Sequence, residues 1–131
     1  MIDATLFAMG LALEPEPTHL VGAGAAFGAL ARHWVYLYVS WEDVPAATFT
    51  VNVLGSFLFG ALLFAGVDDA TLRLAGIGFC GSFTTFSSFS VETVQIWERG
   101  DRKLAVAVAA ANLLVAVAAI GLAWVVIAVA V

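Results

Sequence analysis

Hydrophobic residues dominate four stretches of the chain, and short polar connectors separate them. The stretches cover residues 18–39, 46–66, 70–97 and 103–129. Each is long enough for an α-helix that crosses a hydrocarbon core about 30 Å thick, which takes about 20 residues. The pattern therefore predicts an all-α membrane protein with four transmembrane helices in residues 18–131. Residues 1–17 are predicted to form an N-terminal lead-in, which the sequence Glu-Pro-Glu-Pro ends.

Composition supports a multi-pass protein of the cell membrane and narrows its functions. Hydrophobic residues make up 63% of the chain and charged residues 11%, too few to cover a water-facing surface. The net charge of −5 argues against a nucleic-acid partner, which needs a basic patch. The single cysteine, Cys80, offers neither a disulfide framework nor a metal cluster. Without a Ser/His/Asp set, a metal-ligand spacing or a phosphate loop, an enzyme is not expected, and membrane lipid is the expected surrounding.

Basic and aromatic residues predict the orientation of the chain. Arg99, Arg102 and Lys103 follow the third segment, whereas the opposite side carries only Arg73. By the positive-inside rule, the loop after the third segment is expected to be cytoplasmic. Aromatic residues at the ends of segments one and three predict an interfacial belt on that same side: Trp34, Tyr36, Tyr38, Trp41 and Trp97.

The third segment contains more polar groups than a simple span would. Three glycines and seven hydroxyl or carboxyl groups lie between Gly76 and Glu92. Polar groups in hydrocarbon are costly and mark an ion pathway or a buried site. The sequence predicts a break in this helix, near its middle, at residues 81–85. Such a break exposes carbonyls that can bind a cation and amides that can attract an anion.

Helical spacing divides the residues around the predicted break into two stripes. The polar stripe consists of Thr85, Ser88 and Glu92. The aromatic stripe consists of Phe83, Phe86 and Phe89. Phenylalanines in a membrane helix ordinarily pack in the core or against lipid, but beside a polar stripe their positive ring edges can also solvate a small anion.

Two further polar residues lie inside the predicted spans. Asn52 lies near the middle of segment two, in line with other small or polar residues at four-residue spacing. It can hold helices together or donate its amide to a passing anion. Arg32 is the only cation away from the ends of the predicted spans, and it can anchor at the interface or draw anions into a vestibule.

Together these features resemble the Fluc (CrcB) family of fluoride channels. The likeness is carried by residues 22–32 (GAGAAFGALAR), 50–60 (TVNVLGSFLFG) and 78–89 (GFCGSFTTFSSF), and by Glu92. It covers the first three spans, and the GSFTTFSSF sequence is highly specific. The resemblance implies a fluoride-selective channel that gives passive fluoride efflux and protects against fluoride toxicity. It also implies an antiparallel dual-topology dimer with two pores.

The resemblance further implies roles for individual residues. Phe86, Phe89 and Asn52 correspond to the pore phenylalanines and the pore asparagine. The polar track would consist of Thr85, Ser87, Ser88 and Glu92. Arg32 would be the vestibule arginine. A structural sodium ion at the dimer interface would be held by the backbone carbonyls of Gly81 and Thr84.

The chain departs from the family pattern in two respects. Segment four lacks the tyrosine and serine hydroxyls that usually join the pore, and Asn112 is the one strong polar group there. The charge bias suggests a fixed orientation, so the partner is either a second copy of the chain or a homologous subunit of opposite orientation. Both arrangements stay open.

Two other functions compete with the channel. A small four-helix proton-coupled exporter of cationic drugs needs a titrating carboxylate in the membrane, and Glu92 is the one candidate. A structural subunit without transport would leave the polar stripe unexplained.

Overall fold

Residues 17–41 and 43–130 are described by a computed structural model, and nearly all of them are helical. The helices are α1 (Pro17–Tyr38), α2 (Ala46–Phe64), α3 (residues 69–83), α4 (Phe86–Glu98) and α5 (Arg102–Ala130). Their bounds agree with the four predicted segments to within about two residues. Pro17 begins α1, where its missing amide is not needed for a helical hydrogen bond. The rest of the predicted lead-in lies outside the described residues.

Three helical segments are long and apolar enough to cross a membrane. They are Ala46–Phe64, Asp69–Glu98 and Arg102–Ala130. These segments confirm the second, third and fourth predicted spans by length and composition. Helix α1 has 22 residues, or about 33 Å at 1.5 Å per residue, but it is not among the three. Arg32 and His33 near its end lower its hydropathy.

Helix α3 is not a regular α-helix. It begins with one α-helical turn at Asp69–Thr71, continues as a π-helix over Leu72–Cys80 and returns to α-helical geometry at Gly81–Phe83. π-Helical turns are rare and are found frequently at functional sites. The sequence pattern did not indicate this one. The predicted break follows directly after α3, so the third span consists of α3 and α4.

Glycines let α1 and α3 pack with their backbones in contact. A Cβ atom on Gly24 would collide with the Leu74 carbonyl, and one on Gly78 would collide with the Val21 carbonyl. A Cβ on Gly28 would meet the Phe79 carbonyl. Small residues at helix interfaces are the usual means of close association in lipid, where apolar side chains gain little from leaving the hydrocarbon. This contact sets the position of the π-helix against α1.

Helix α5 packs along α2 through small side chains as well. Gly60 of α2 approaches Ile120 and Ala123 of α5, and Ala123 is fully buried. The other faces of both helices expose leucine, valine and isoleucine side chains. An exposed apolar surface of this extent on long helices suits contact with lipid or with another membrane helix.

Short connectors join the helices. Asp68 caps α3, because its carboxylate accepts hydrogen bonds from the Thr71 amide (3.0 Å) and the Thr71 hydroxyl (2.8 Å). These bonds favour the ionised carboxylate and lower the pKa of Asp68. Gly66 and Gly100 adopt left-handed conformations after α2 and α4, where glycine ends a helix without strain.

Candidate functional site

The third span breaks at two residues rather than five. Thr84 and Thr85 are extended, with ψ of 162° and 118°, whereas Gly81–Phe83 is still helical. The predicted break at residues 81–85 is therefore right in position but too wide. Thr85 is 6% exposed, so the irregular backbone lies inside the protein, as the lack of water in hydrocarbon requires.

Asn52, on the neighbouring helix α2, stabilises the break through hydrogen bonds to Thr85. Its Oδ1 accepts a hydrogen bond from the Thr85 amide at 2.8 Å. Its Nδ2 donates to the Thr85 carbonyl at 3.1 Å and to Asn112 Oδ1 at 3.3 Å. Both backbone groups of Thr85 are thus satisfied by one side chain. Because a primary amide has two N–H donors, both donors of Asn52 are engaged.

The hydrogen bond between Asn52 and the Thr85 amide leaves the carbonyl of Gly81 in α3 without its usual helical donor. In a continuous helix the Thr85 amide would bond to the carbonyl of Gly81, but here it bonds to Asn52. Gly81 is exposed, and a Cβ atom added to it would meet no described atom within 4 Å beyond its chain neighbours and the adjacent helical backbone. The Gly81 carbonyl therefore lacks this helical hydrogen bond, and Gly81 lies at an exposed position of α3. The Thr84 carbonyl has a long contact of 3.4 Å with Arg32 Nη1.

Phe86 and Phe89 form one wall of a cavity beside the break. Their ring centroids are 5.6 Å apart, and the ring planes are inclined by 47°. The cavity has a volume of about 240 Å³ and is lined by Asn52, Ser56, Thr84, Thr85, Phe86, Phe89, Asn112, Leu113 and Ala116. Three residues that the resemblance assigned to the pore, Asn52, Phe86 and Phe89, are thus brought together around one cavity.

Phe83 does not belong to this wall, so the predicted aromatic stripe is wrong at its first member. It lies before the break, is 5% exposed and stacks on Phe79 with a centroid distance of 5.5 Å. The three-residue spacing that suggested one stripe assumed a continuous helix. The extended residues at the break remove that register, so Phe83 packs within the α3 side of the protein instead.

A second cavity lies on the other side of Thr85. It has a volume of about 340 Å³ and is lined by Ala29, Arg32, His33, Tyr36, Thr85, Ser87 and Ser88. The proposed vestibule arginine and the two serines of the proposed polar track therefore share a cavity that Phe86 and Phe89 do not line. Thr85 lines both cavities.

Thr85 is also the N-cap residue of α4. Its hydroxyl accepts a hydrogen bond from the Ser88 amide at 3.2 Å, which caps the helix. The same hydroxyl lies 3.2 Å from the hydroxyls of Ser87 and Ser88. Three hydroxyl groups thus form one hydrogen-bonded cluster at the start of α4.

Glu92 is two turns farther along α4 than Thr85 and has partners of its own. Its Oε1 accepts a hydrogen bond from the Thr48 hydroxyl at 2.9 Å, and Thr48 is also bonded to the Tyr36 hydroxyl. Since the single proton of Thr48 goes to Glu92, the Tyr36 hydroxyl is the donor to Thr48. Glu92 Oε2 is buried without a hydrogen-bond partner among the described residues.

Two residues of this hydrogen-bonded set are not predicted from the sequence as part of the site. Tyr36 is predicted to belong to the aromatic belt, and Thr48 is one of the small or polar residues in line with Asn52. The signal for Thr48 was its spacing of four residues before Asn52, which puts both side chains on one face of α2. Asn112, whose facing the sequence left open, lies in the cavity of Phe86 and Phe89.

Comparison with known proteins identifies the family. The family described as "CrcB-like protein, Camphor Resistance (CrcB)" matches residues 19–126. The chain belongs to the CrcB family. It is 55% identical over 109 residues to the fluoride-specific ion channel FluC 2 of Haloarcula marismortui, covering 83% of this chain and 92% of the relative.

Further relatives share a smaller fraction of their residues with this chain. The chain is 47% identical over 113 residues to FluC 1 of Halobacterium salinarum, covering 86% of this chain and 94% of that protein. It is 40% identical over 109 residues to FluC of Saccharophagus degradans, covering 76% and 80%. Both relatives are named fluoride-specific ion channels. Membership in this family, with three spans found by composition, makes this chain a multi-pass membrane protein.

Proposed function

We propose that this chain is a subunit of a fluoride-selective channel that gives passive fluoride efflux across the cell membrane and protects against fluoride toxicity. The observation that carries the proposal is the cavity at the break of the third span, where Phe86, Phe89 and Asn52 meet. The chain matches the relatives from Haloarcula marismortui and Halobacterium salinarum along nearly their whole length. Both are named fluoride-specific ion channels, which supports the same function.

The chemistry of the two cavities suits a small, strongly hydrated anion. A pore that selects fluoride has to replace its hydration water with fixed donors. The edges of Phe86 and Phe89 are positive, and the hydroxyls of Ser87 and Ser88 are donors. None of these groups has a full charge, which favours release of the ion as well as its entry.

The two cavities suggest the order of contacts along the path. Arg32 lies in the cavity with Ser87 and Ser88, so it can attract an anion into that side. Thr85 lies between this cavity and the one that Phe86 and Phe89 line. In our proposal the ion passes the hydroxyl cluster at Thr85 on its way between the two cavities, and Glu92 with Thr48 extends the polar track.

A sodium ion and a second subunit complete the proposed assembly. Hard cations prefer oxygen ligands, and backbone carbonyls can supply them. The Gly81 carbonyl lacks the helical hydrogen bond from the Thr85 amide, because that amide donates to Asn52 instead. Gly81 lies on an exposed part of α3, which fits a site shared with another subunit. The Thr84 carbonyl would be the second ligand. We propose that the sodium ion holds two oppositely oriented subunits together, either two copies of this chain or this chain and a homologue.

Fluoride efflux from liposomes tests the function. Purified protein is reconstituted alone and, in parallel, with a homologous chain of opposite charge bias, and efflux is followed with a fluoride electrode. Flux from this chain alone would support a homodimer, and flux restored by the second chain would support a heteromer. Transport of an organic cation driven by a pH gradient, without fluoride flux, would favour the exporter instead.

The phenylalanine pair is tested in whichever preparation conducts. Phe86→Ile and Phe89→Ile keep a bulky apolar side chain but remove the ring edge, so we expect fluoride flux to be abolished while the subunits still assemble. Leu114→Ile, at an exposed position of α5 outside both cavities, is the control and should conduct. Unchanged fluoride flux through both phenylalanine variants would contradict the proposed path of the ion.

A further inference from the structure

We infer that Asn112, rather than Asn52, is the amide that donates hydrogen bonds to the permeating anion, and that Asn52 positions it. This inference rests on the proposed function and assigns the donor in the same cavity. Both asparagines line that cavity together with Phe86 and Phe89. What distinguishes them is how their N–H donors are used.

The hydrogen bonds fix the orientation of both amides. Asn52 Oδ1 accepts from the Thr85 amide, so its Nδ2 must be the atom that bonds to the Thr85 carbonyl. That Nδ2 also donates to Asn112. The atom of Asn112 that receives this bond must be Oδ1, because a nitrogen there would oppose donor to donor. The Nδ2 of Asn112 is therefore turned away from Asn52.

The amide nitrogen of Asn112 is an unused donor in a buried place. Asn112 is 6% exposed, and its Nδ2 has no hydrogen-bond partner among the described residues. A buried donor without a partner has lost its hydrogen bonds to water and gained none, so such groups are rare in folded proteins. An anion that accepts from both N–H groups would satisfy this donor while inside the cavity.

Asn52 has no donor left to offer. Its two N–H groups are directed to Thr85 and Asn112, at 3.1 Å and 3.3 Å. Binding an anion at Asn52 would break one of these bonds and loosen the break in the helix. Binding at Asn112 breaks none, and the bond from Asn52 holds the Asn112 amide in place.

Access to the Asn112 nitrogen requires a side chain to move. The nitrogen is covered in this structure, so an ion reaches it only when a neighbour in the cavity turns aside. Phe86 is 79% exposed in the single chain, and its ring is there the less hindered of the two phenylalanines. In this proposal the ring of Phe86 turns and the ion then has the amide of Asn112 and the edge of Phe89 within reach.

Two variants separate the donor from the interhelical bond. Asn112→Leu removes both the donor to the ion and the acceptor for Asn52. Asn112→Asp keeps an oxygen that accepts from Asn52 but replaces the N–H₂ by a second oxygen. A hydrogen bond to a charged group contributes about 1.5–3 kcal/mol, so we expect each variant to lower fluoride flux about ten- to a hundredfold at neutral pH.

The pH dependence of Asn112→Asp supplies a second readout. Protonation of the aspartate removes its charge and restores one O–H donor, so flux through this variant relative to wild type should rise as the pH of the assay is lowered from 8 to 5. Wild-type protein serves as the reference at each pH. Leu114→Ala, an exposed position two residues along α5, should conduct like wild type.

Each outcome of this experiment decides the inference. Reduced flux in both variants, with subunit assembly and thermal unfolding as in wild type, supports the donor role. Full flux through Asn112→Asp at neutral pH would overturn it and leave Asn112 as an interhelical contact only, and full flux through Asn112→Leu would overturn it as well. A wild-type protein that never conducts fluoride would instead refute the channel, and the donor role with it.

Discussion

At the scale of single residues, the buried hydrogen bonds decide which polar groups are available to an ion. The clearest example is Asn52, which satisfies both backbone groups of Thr85 and so turns a break in a membrane helix into an ordered structure. Leaving those groups unpaired in hydrocarbon would cost several kcal/mol each. The asparagine is therefore needed for the shape of the site before any ion is present.

Thr48 gives a residue-scale prediction about stability. It is fully buried and links the Tyr36 hydroxyl to the Glu92 carboxylate. Thr48→Val keeps the shape but leaves both partners without their bond, which should lower stability by about 1–3 kcal/mol. The measurement is unfolding of the purified protein in mixed detergent micelles.

The control for Thr48 is serine. Thr48→Ser keeps the hydroxyl and loses one methyl group, so it should lie closer to wild type than valine does. If serine and valine variants unfold alike, the hydrogen bonds of Thr48 contribute nothing measurable to stability and packing of its methyl group explains its burial.

At the scale of the helices, glycines fix how α1 and α3 meet. Gly24→Ala places a methyl group against the Leu74 carbonyl, where only backbone movement can relieve the contact. Alanine gains about 1 kcal/mol of helix propensity over glycine, but overpacking costs typically 1–3 kcal/mol. We expect a net loss of stability, seen as a lower midpoint of thermal unfolding.

Gly22 is the matched control on the same helix. Beyond its chain neighbours and the adjacent backbone of α1, no described atom lies within 4 Å of a Cβ added there. Gly22→Ala should therefore leave the midpoint unchanged or raise it, because it gains helix propensity without a collision. A midpoint for Gly24→Ala at or above that of Gly22→Ala would contradict the close packing of α1 on the π-helix.

At the scale of the whole molecule, the exposed face of α3 is where a second subunit is proposed to pack. Gly81→Trp adds a large side chain where the single subunit has open space, so the helix should fold but the subunits should separate. Mass measurement of the detergent complex checks this. Gly121→Trp, at another open position, is the control and should leave the assembly intact.

This variant also examines the proposed sodium ligand. Loss of pairing at Gly81 should be accompanied by loss of fluoride flux, because the cation at the interface and the second subunit disappear together. If Gly81→Trp still forms pairs and conducts, the interface lies on another face of the subunit.

The sequence by itself determined the helices, the class of the protein and the segment in which its site lies. These follow from local properties: the length of each apolar stretch, the density of hydroxyls in the third span, and the spacing that puts Thr85, Ser88 and Glu92 on one side of α4. The specific sequence around Phe86 and Phe89 also indicated the protein family.

Only the tertiary structure decided how the break is built and which of the two asparagine side chains keeps an unused N–H donor among the described residues. The width of the break depends on Asn52, which takes the Thr85 amide from another helix. Packing between helices also determines two other features. Phe83 lies apart from Phe86 and Phe89, and α3 is a π-helix over Leu72–Cys80. Periodicity orders side chains within one helix, but hydrogen bonds between helices depend on their relative positions. For that reason the resemblance assigns Asn52 to the pore, whereas among the described residues the structure leaves the unused donor on Asn112.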